Sequence, residues 1–284
     1  MTLEILPATL DDAARLGDIC FRAFDDVSRR HGFATDFDSP AVAQMIIGQL
    51  IRDEDTHSIA AVESGTPVGS NFLMAADDVG AIGPITIDPA VQGRGIGRAL
   101  MEDALRHARE EGIERVRLMQ DAFNMHSLSL YASLGFDTKA AVALLVPSPR
   151  NVPEVRPATA GDMDAVERLS TEIYGVSRRR EVEAVTAGPF QAFVYEKDGR
   201  VVAYFVPGMP GHGVGETEEA LALAVLGATS HVAPPFARAF CPLAEGDLFR
   251  RFLQSGCRVR KVMNLMAQGP YEEPRGPWMP SVGY

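Results

Sequence analysis

Apolar and polar positions along the chain switch between a strand-like and a helical period, and they do so twice. After the extended stretch Leu3–Thr9, the apolar residues Leu16, Ile19, Cys20, Ala23 and Phe24 recur at helical spacing. After Val155–Thr159, Val166, Leu169 and Ile173 do the same. Thr9 and Thr159 each stand three residues before an aspartate, Asp12 and Asp162, a relative of the helix-starting capping box. A hairpin pattern follows in both places. Residues 58–62 and 67–72 flank a loop containing Gly65, and residues 192–195 and 201–205 flank one containing Gly199. Each half then ends on a short helix closed by a glycine, Gly135 or Gly256, with a β-rich run beyond it. Three matches in the same order predict an internal duplication.

The copies are unequal, with thirteen residues fewer between Gly199 and Gly256 than between Gly65 and Gly135. Pro147, Pro149 and Pro153 mark the natural join, so domains are expected over residues 1–147 and 153–284. A length of 284 residues suits two modest domains. A content of 46% hydrophobic and 23% charged residues excludes a disordered or fibrous chain. The net charge of −11 disfavours nucleic acid and anionic membranes as partners.

Cys20, Cys241 and Cys257 are too scattered for a disulfide framework, and the six histidines show no zinc-like spacing with them, so no metal is expected. The first residues lack a basic flank and a long apolar run, and Ala220–Ala228 is too short to span a bilayer. A cytoplasmic protein that neither enters nor binds a membrane is the expectation.

The longer copy holds the segment with chemical character. Ile82–Ile87 is predicted as a short strand ended by Asp88 and Pro89. Ile96, Leu100, Ala104 and Ala108 form a helical stripe that Gly112 terminates. Between them, Gly93, Gly95 and Gly97 allow tight turns that face backbone N–H groups outward. Such a turn opening a helix suits phosphate, because unpaired amides and the helix dipole both favour an anion. Arg94 and Arg98 add positive charge. A plain tight turn is the structural alternative. An NTPase P-loop is excluded because no Gly-Lys-Ser/Thr follows, and a Rossmann dinucleotide site is disfavoured by the incomplete glycine fingerprint.

A second motif follows a predicted strand at Arg115–Gln120. Together, Q-x-x-G-x-G from Gln92 to Gly97 and N-x-x-S-x-x-L-Y-x-x-L-G-F from Asn124 to Phe136 resemble the GCN5-related N-acetyltransferase (GNAT) superfamily over residues 3 to about 146. The resemblance implies an α/β fold of the mixed, α+β-like kind, as two tandem GNAT-type domains, each a central, mostly antiparallel sheet flanked by helices. It implies acetyl-coenzyme A as co-substrate and direct acetyl transfer to an amine, on a small molecule or on a protein lysine or N-terminus. By position, the backbone of Ile85, Thr86 and Ile87 would pair with the pantetheine arm. Gln92, Gly93, Arg94, Gly95, Ile96, Gly97 and Arg98 would hold the pyrophosphate, with Asn124 and Ser127 near the pantetheine. Tyr131 is the expected catalytic acid, protonating the departing thiolate. The alternatives are an aromatic packing role for Tyr131 and, for the chain, an acyl-coenzyme A sensor without turnover.

The second copy resembles a degenerate repeat. Met209–Gly215 is also glycine-rich, but Glu216, Glu218 and Glu219 would crowd the next helix N-terminus with negative charge, and Phe252 stands where Tyr131 does. The catalytic motifs therefore point to the first copy. No general base stands out; Asp121, His126 and the terminal carboxylate of Tyr284 are candidates. The tail with Trp278 is expected to seal a core, with an acceptor pocket wall as the alternative, and Arg178–Arg180 is expected to be a solvated helix end. Either a monomer or a homodimer fits.

Overall fold

The structure is a computed structural model, and residues 3–75, 78–187, 191–208, 211–233 and 236–281 are described. Contacts divide the chain into two compact units, residues 1–118 with 123–136, and residues 119–122 with 137–284.

In the first unit, β1 (Leu3–Pro7) leads through a 3-10 turn into α1 (Ala13–Arg30) and α2 (Pro40–Arg52). The turn is held as the sequence predicts: the Thr9 backbone N–H and hydroxyl both donate to Asp12 Oδ2, at 2.9 and 2.7 Å. β2 (Thr56–Glu63) and β3 (Thr66–Met74) form the expected hairpin, followed by β4 (Val79–Ile82), β5 (Thr86–Ile87), α3 (Ile96–Glu110), β6 (Arg115–Asp121) and α4 (Met125–Ser133). β1, β2, β3 and β4 pair antiparallel in that order, and β4 pairs parallel to the start of β6. Leu16, Ile19 and Cys20 of α1 pack with Ala43 and Ile47 of α2 and Phe72 of β3. On a second cluster, Ile96 and Leu100 of α3 pack with Ile59, Ala61 and Val68. Both helices thus bury their apolar stripes against the sheet, which fixes α3 and the glycine turn before it.

The predicted single strand over residues 82–87 is two pieces. β4 pairs with β3 at Leu73↔Ile82, and β5 pairs with β3 at Gly69↔Ile87. Gly83, at φ 135°, lies in the break between them. An apolar run cannot show this break, because periodicity reports faces and not pairing partners.

The second unit contains β7 (Asp137–Val146), β8 (Val155–Pro157), α5 (Met163–Tyr174), α6 (Arg179–Ala187), β9 (Phe193–Lys197), β10 (Arg200–Phe205), β11 (Gly213–Gly215), α7 (Glu218–Ala228), β12 (Ala239–Pro242), α8 (Gly246–Gln254), β13 (Arg258–Gln268) and β14 (Trp278–Met279). Its opening repeats that of the first unit, with the Thr159 N–H and hydroxyl donating to Asp162 Oδ2 at 2.8 Å each. One sheet runs β14-β11-β10-β9-β8. β7 pairs antiparallel with both β12 and β13. The division between the units thus falls before β7, ahead of the proline-rich stretch, because β7 forms its ladders with the strands of the second repeat.

Two expectations about surfaces resolve differently. Trp278 is 4% exposed and Met279 fully buried, β14 pairs with β11, and the Tyr174 hydroxyl donates to the Met279 carbonyl at 2.6 Å, so the tail seals a core. Arg178, expected in solvent, is 2% exposed and ion-paired with Glu181. A charge run on one line of sequence does not reveal that its first member points inward.

Candidate functional site

The glycine turn is assembled from its flanks. Asp88 Oδ1 accepts the Ala90 N–H at 3.1 Å, starting a 3-10 turn over Pro89–Val91. Arg22 of α1 grips the same Asp88 with two hydrogen bonds of 3.0 and 2.8 Å. That contact holds the Asp88 carboxyl below its ordinary value. The Gln92 side chain turns back to donate to the Ile87 carbonyl at 3.1 Å, tying the turn to β5.

Gly93 and Gly95 then adopt φ of 78° and 84°, a region costly for residues bearing a Cβ. Gly95 is the N-cap of α3 and offers no side-chain cap. The first intrahelical bond is from Ala99 N–H to the Gly95 carbonyl, so the amides of Ile96, Gly97 and Arg98 have no acceptor inside the helix. A Cβ added at Gly93 or Gly95 would meet nothing within 4 Å; the space outside the turn is open. Open space, amides without a helical acceptor and a helix N-terminus together fit a diphosphate.

The two arginines are already engaged. Arg94 makes a bidentate pair with Glu63, at 3.1 and 2.8 Å, and Arg98 donates to Ser133 Oγ at 2.6 Å. Arg94 thus fixes the turn to the end of β2, and Arg98 joins α3 to α4.

Below the turn, β5 pairs with β3 alone among the described residues, while β6 pairs with β4 only over Arg115–Arg117. The approach of β5 to β3 is close: a Cβ on Gly69 would lie 2.7 Å from the Thr86 carbonyl oxygen. At the foot of α4, Asn124 is the N-cap, its side chain accepting the Ser127 N–H at 3.3 Å while the Ser127 hydroxyl donates to the Asn124 carbonyl at 3.0 Å. These two polar residues thus serve the start of the helix that carries Tyr131. Tyr131 is 7% exposed, its ring edge-on to Phe136 at 6.3 Å. Its carbonyl accepts the N–H groups of Leu134 and Phe136 at the glycine-closed end of α4.

Of the three candidate bases, Asp121 lies in the second unit, ion-paired at 2.5 Å with the buried Lys261. His126 is exposed on α4, and Tyr284 lies outside the described residues, as do Met209 and Pro210 of the second glycine-rich stretch. Asp36, between α1 and α2, is a carboxylate the sequence motifs did not single out, and it is 7% exposed. Its signal was faint, an acid framed by Phe33 and Phe37 in an otherwise polar loop.

The second unit's corresponding helix start is built otherwise. Thr217 caps α7, its hydroxyl accepting the Ala220 N–H at 3.1 Å. Glu216 is drawn away by Arg200, at 2.5 and 2.7 Å, and by Arg168 at 3.1 Å. The expected crowding by Glu216 is therefore an ion-pair network, and the anion position at α7 is taken by a hydroxyl.

The model of the acetyltransferase (GNAT) family matches residues 21–136, the part of the chain that holds the turn, β5 and α4. This segment belongs to the GNAT family. A mycothiol acetyltransferase of Thermomonospora curvata is 41% identical over 73 residues, which cover 26% of this chain and 24% of that protein. The match thus spans about a quarter of that relative's length. Among solved structures, a chain of Pyrococcus horikoshii described as a candidate acetyltransferase superposes with a TM-score of 0.78 at 17% identity, over 97% of this chain and 92% of that one. A GCN5-related N-acetyltransferase of Sphaerobacter thermophilus gives 0.61 at 15% identity, over 95% and 97%. At such identities the likeness establishes the fold, which is that of GNAT proteins. Among the described residues no helix is long and apolar enough to cross a membrane.

Proposed function

We propose that the chain is an acetyl-coenzyme A-dependent N-acetyltransferase whose donor site lies in the first unit. The observation that carries this reading is the contrast between the two helix starts. The α3 amides are uncapped behind a glycine turn that opens on free space, while the α7 start is closed by the Thr217 hydroxyl. The tail supports it, since β14 lies along β11 and occupies that strand edge in the second unit.

In this reading the amides from Gly93 to Arg98 bind the pyrophosphate, and the backbone of Ile85, Thr86 and Ile87 receives the pantetheine as an added strand. Gln92 and Arg94 act through the shape of the turn, by their bonds to Ile87 and Glu63. Asn124 and Ser127 set the start of α4 and so the position of Tyr131. The amine lone pair attacks the thioester carbon. A C–N bond forms, the C–S bond breaks, the electron pair left on sulfur takes the Tyr131 phenolic proton, and the proton shed by the new amide nitrogen restores the Tyr131 hydroxyl through water. A backbone N–H near Ile87 stabilises the oxyanion in between.

The test is release of free thiol from acetyl-coenzyme A across a panel of primary amines. Release that depends on the amine supports the reading. Tight coenzyme A binding with no release on any amine contradicts it and leaves an acyl-coenzyme A-binding module.

A further inference from the structure

α4 carries Tyr131 on little packing of its own. It is nine residues long, too short to hold itself in water, and Tyr131 is its one buried residue. Of the others, five are exposed and three half-buried. Asn124 caps its start, and at its close the Tyr131 carbonyl accepts the Leu134 and Phe136 N–H groups at 3.0 and 3.1 Å. With so little apolar surface buried, individual ties to neighbouring elements decide where such a helix sits.

Arg98 supplies one of these ties from α3. Its guanidinium donates to Ser133 Oγ at 2.6 Å, and that hydroxyl in turn donates to the Leu130 carbonyl at 2.7 Å. Leu130 and Ser133 stand three apart on one face of α4, and Tyr131 follows Leu130 about 100° further round the helix. The same face meets Gly97, whose added Cβ would lie 3.5 Å from Leu130 Cδ2. A charged donor shortens and strengthens such a hydrogen bond, and a cation beside the last turn of α4 also suits the helix dipole. The second partner of Arg98 is Glu102 on its own helix, at 3.6 Å with both side chains about half exposed, a pair of little weight.

The backbone of the same residue belongs to the start of α3. The Arg98 N–H has no acceptor inside that helix, because the first intrahelical bond runs from the Ala99 N–H to the Gly95 carbonyl. One residue thus has its amide at the glycine turn and its side chain at the end of the helix that bears Tyr131.

We propose that the Arg98 side chain is a positioning residue for Tyr131, holding α4 against α3 so that a pyrophosphate seated on the turn fixes where the phenol stands. This inference rests on the acetyl-transfer reading above. The charge of Arg98 then serves the acid and not the phosphate. Arg98→Ala keeps the amide and removes the guanidinium, which separates the two roles.

The experiment measures thiol release from acetyl-coenzyme A by the full chain, with whichever of 2-phenylethylamine and 1,4-diaminobutane is turned over faster. Arg98→Ala is expected to lower kcat about tenfold or more, since small misplacements of a reacting group are costly. KM for acetyl-coenzyme A and calorimetric coenzyme A affinity should stay within twofold. Thermal midpoints should agree within about 3 °C, because the bond lies at the surface. Ser133→Ala should lower kcat in the same direction, and the double variant should be no slower than the slower single one. Arg98→Lys, which still donates to Ser133, should recover part of the loss.

A second measurement needs no turnover. The chain has six tyrosines, and in ring-labelled protein the magnetic resonance signal of Tyr131 is the one missing from Tyr131→Phe. Adenosine 3′-phosphate 5′-diphosphate, the nucleotide half of coenzyme A without its pantetheine arm, is expected to shift that signal in the unmodified chain. In Arg98→Ala the nucleotide should still bind and the shift should be lost.

Unchanged kcat in Arg98→Ala would overturn the inference. So would a fall in coenzyme A affinity with kcat held, which would make the guanidinium a phosphate ligand. Losses that multiply in the double variant would break the link between Arg98 and Ser133. A Tyr131 signal that answers the bound nucleotide equally in both chains, or in neither, would also overturn it. An unmodified chain that binds coenzyme A but turns over no amine would instead remove the transfer reading, and the nucleotide response would still decide whether Arg98 sets the place of Tyr131.

Discussion

Gly97, in the first turn of α3, faces Ile87 at the end of β5 so closely that a Cβ added to it would sit 3.2 Å from Ile87 Cδ1. The same Cβ would lie 3.5 Å from Leu130 Cδ2 on α4. Gly97 is thus where the helix, the strand and the Tyr131-bearing helix converge. Gly97→Val adds bulk there and is expected to cost about 1–3 kcal/mol of stability. Gly69→Ala meets the Thr86 carbonyl oxygen and must move the backbone of β5. Its coenzyme A affinity, by calorimetry, should therefore fall further than that of Gly97→Ala.

The turn itself is governed by backbone conformation. Since Gly95 has φ 84° and open space beside its Cα, Gly95→Ala introduces no clash but a left-handed residue. It is expected to lower stability by about 1–2 kcal/mol, and to weaken coenzyme A binding by displacing the amides. Thr217→Ala removes the cap of α7 and should cost about 1 kcal/mol. Coenzyme A affinity should stay unchanged in that variant, measured on the same instrument.

Tyr131→Phe tests the acid. The ring still fills the space beside Phe136, so the fold and the donor site are expected to persist. Turnover should drop at least tenfold, within the range for loss of a positioned proton donor. Equal turnover in steady-state assays would reduce Tyr131 to a packing residue.

The Arg22–Asp88 pair gives a pH signature. The folded-state pKa of Asp88 lies below the ordinary 3.8, so its contribution is present above that value and is lost as pH falls through the lower folded value. Arg22 is about half exposed, so solvent screening keeps the contribution under about 1 kcal/mol. Thermal midpoints of the unmodified chain and Arg22→Ala should differ by a constant small amount from pH 5 to 8. The gap should close below pH 3.8.

Local rules carried much of the fold. Leu16, Ile19, Cys20 and Ala23 are buried on α1, Ile96, Leu100, Ala104 and Ala108 on α3, and both threonine–aspartate caps are formed, because each depends on residues three or four apart. The hairpins around Gly65 and Gly199 follow from turn chemistry in the same way. Non-local pairing was invisible. Nothing in the Asp137–Val146 pattern says that it pairs with β12 and β13, and nothing in Ile82–Ile87 says that it breaks into two pieces that each pair with β3.

The site was legible where a glycine or a motif marks it and obscure where a side chain chooses its partner. Arg94 shows as a free cation in sequence and is bound to Glu63, 31 residues earlier. Asp36 belongs to no motif, and its burial between α1 and α2 shows only in the fold.

The most direct measurement of the central claim is a crystal structure of the full chain grown with coenzyme A. The account predicts one coenzyme A per chain, its pyrophosphate on the amides of Gly93 to Arg98 and its sulfur beside the Tyr131 hydroxyl. A pyrophosphate seated at the start of α7, or a chain that takes up no coenzyme A at millimolar supply, would contradict it.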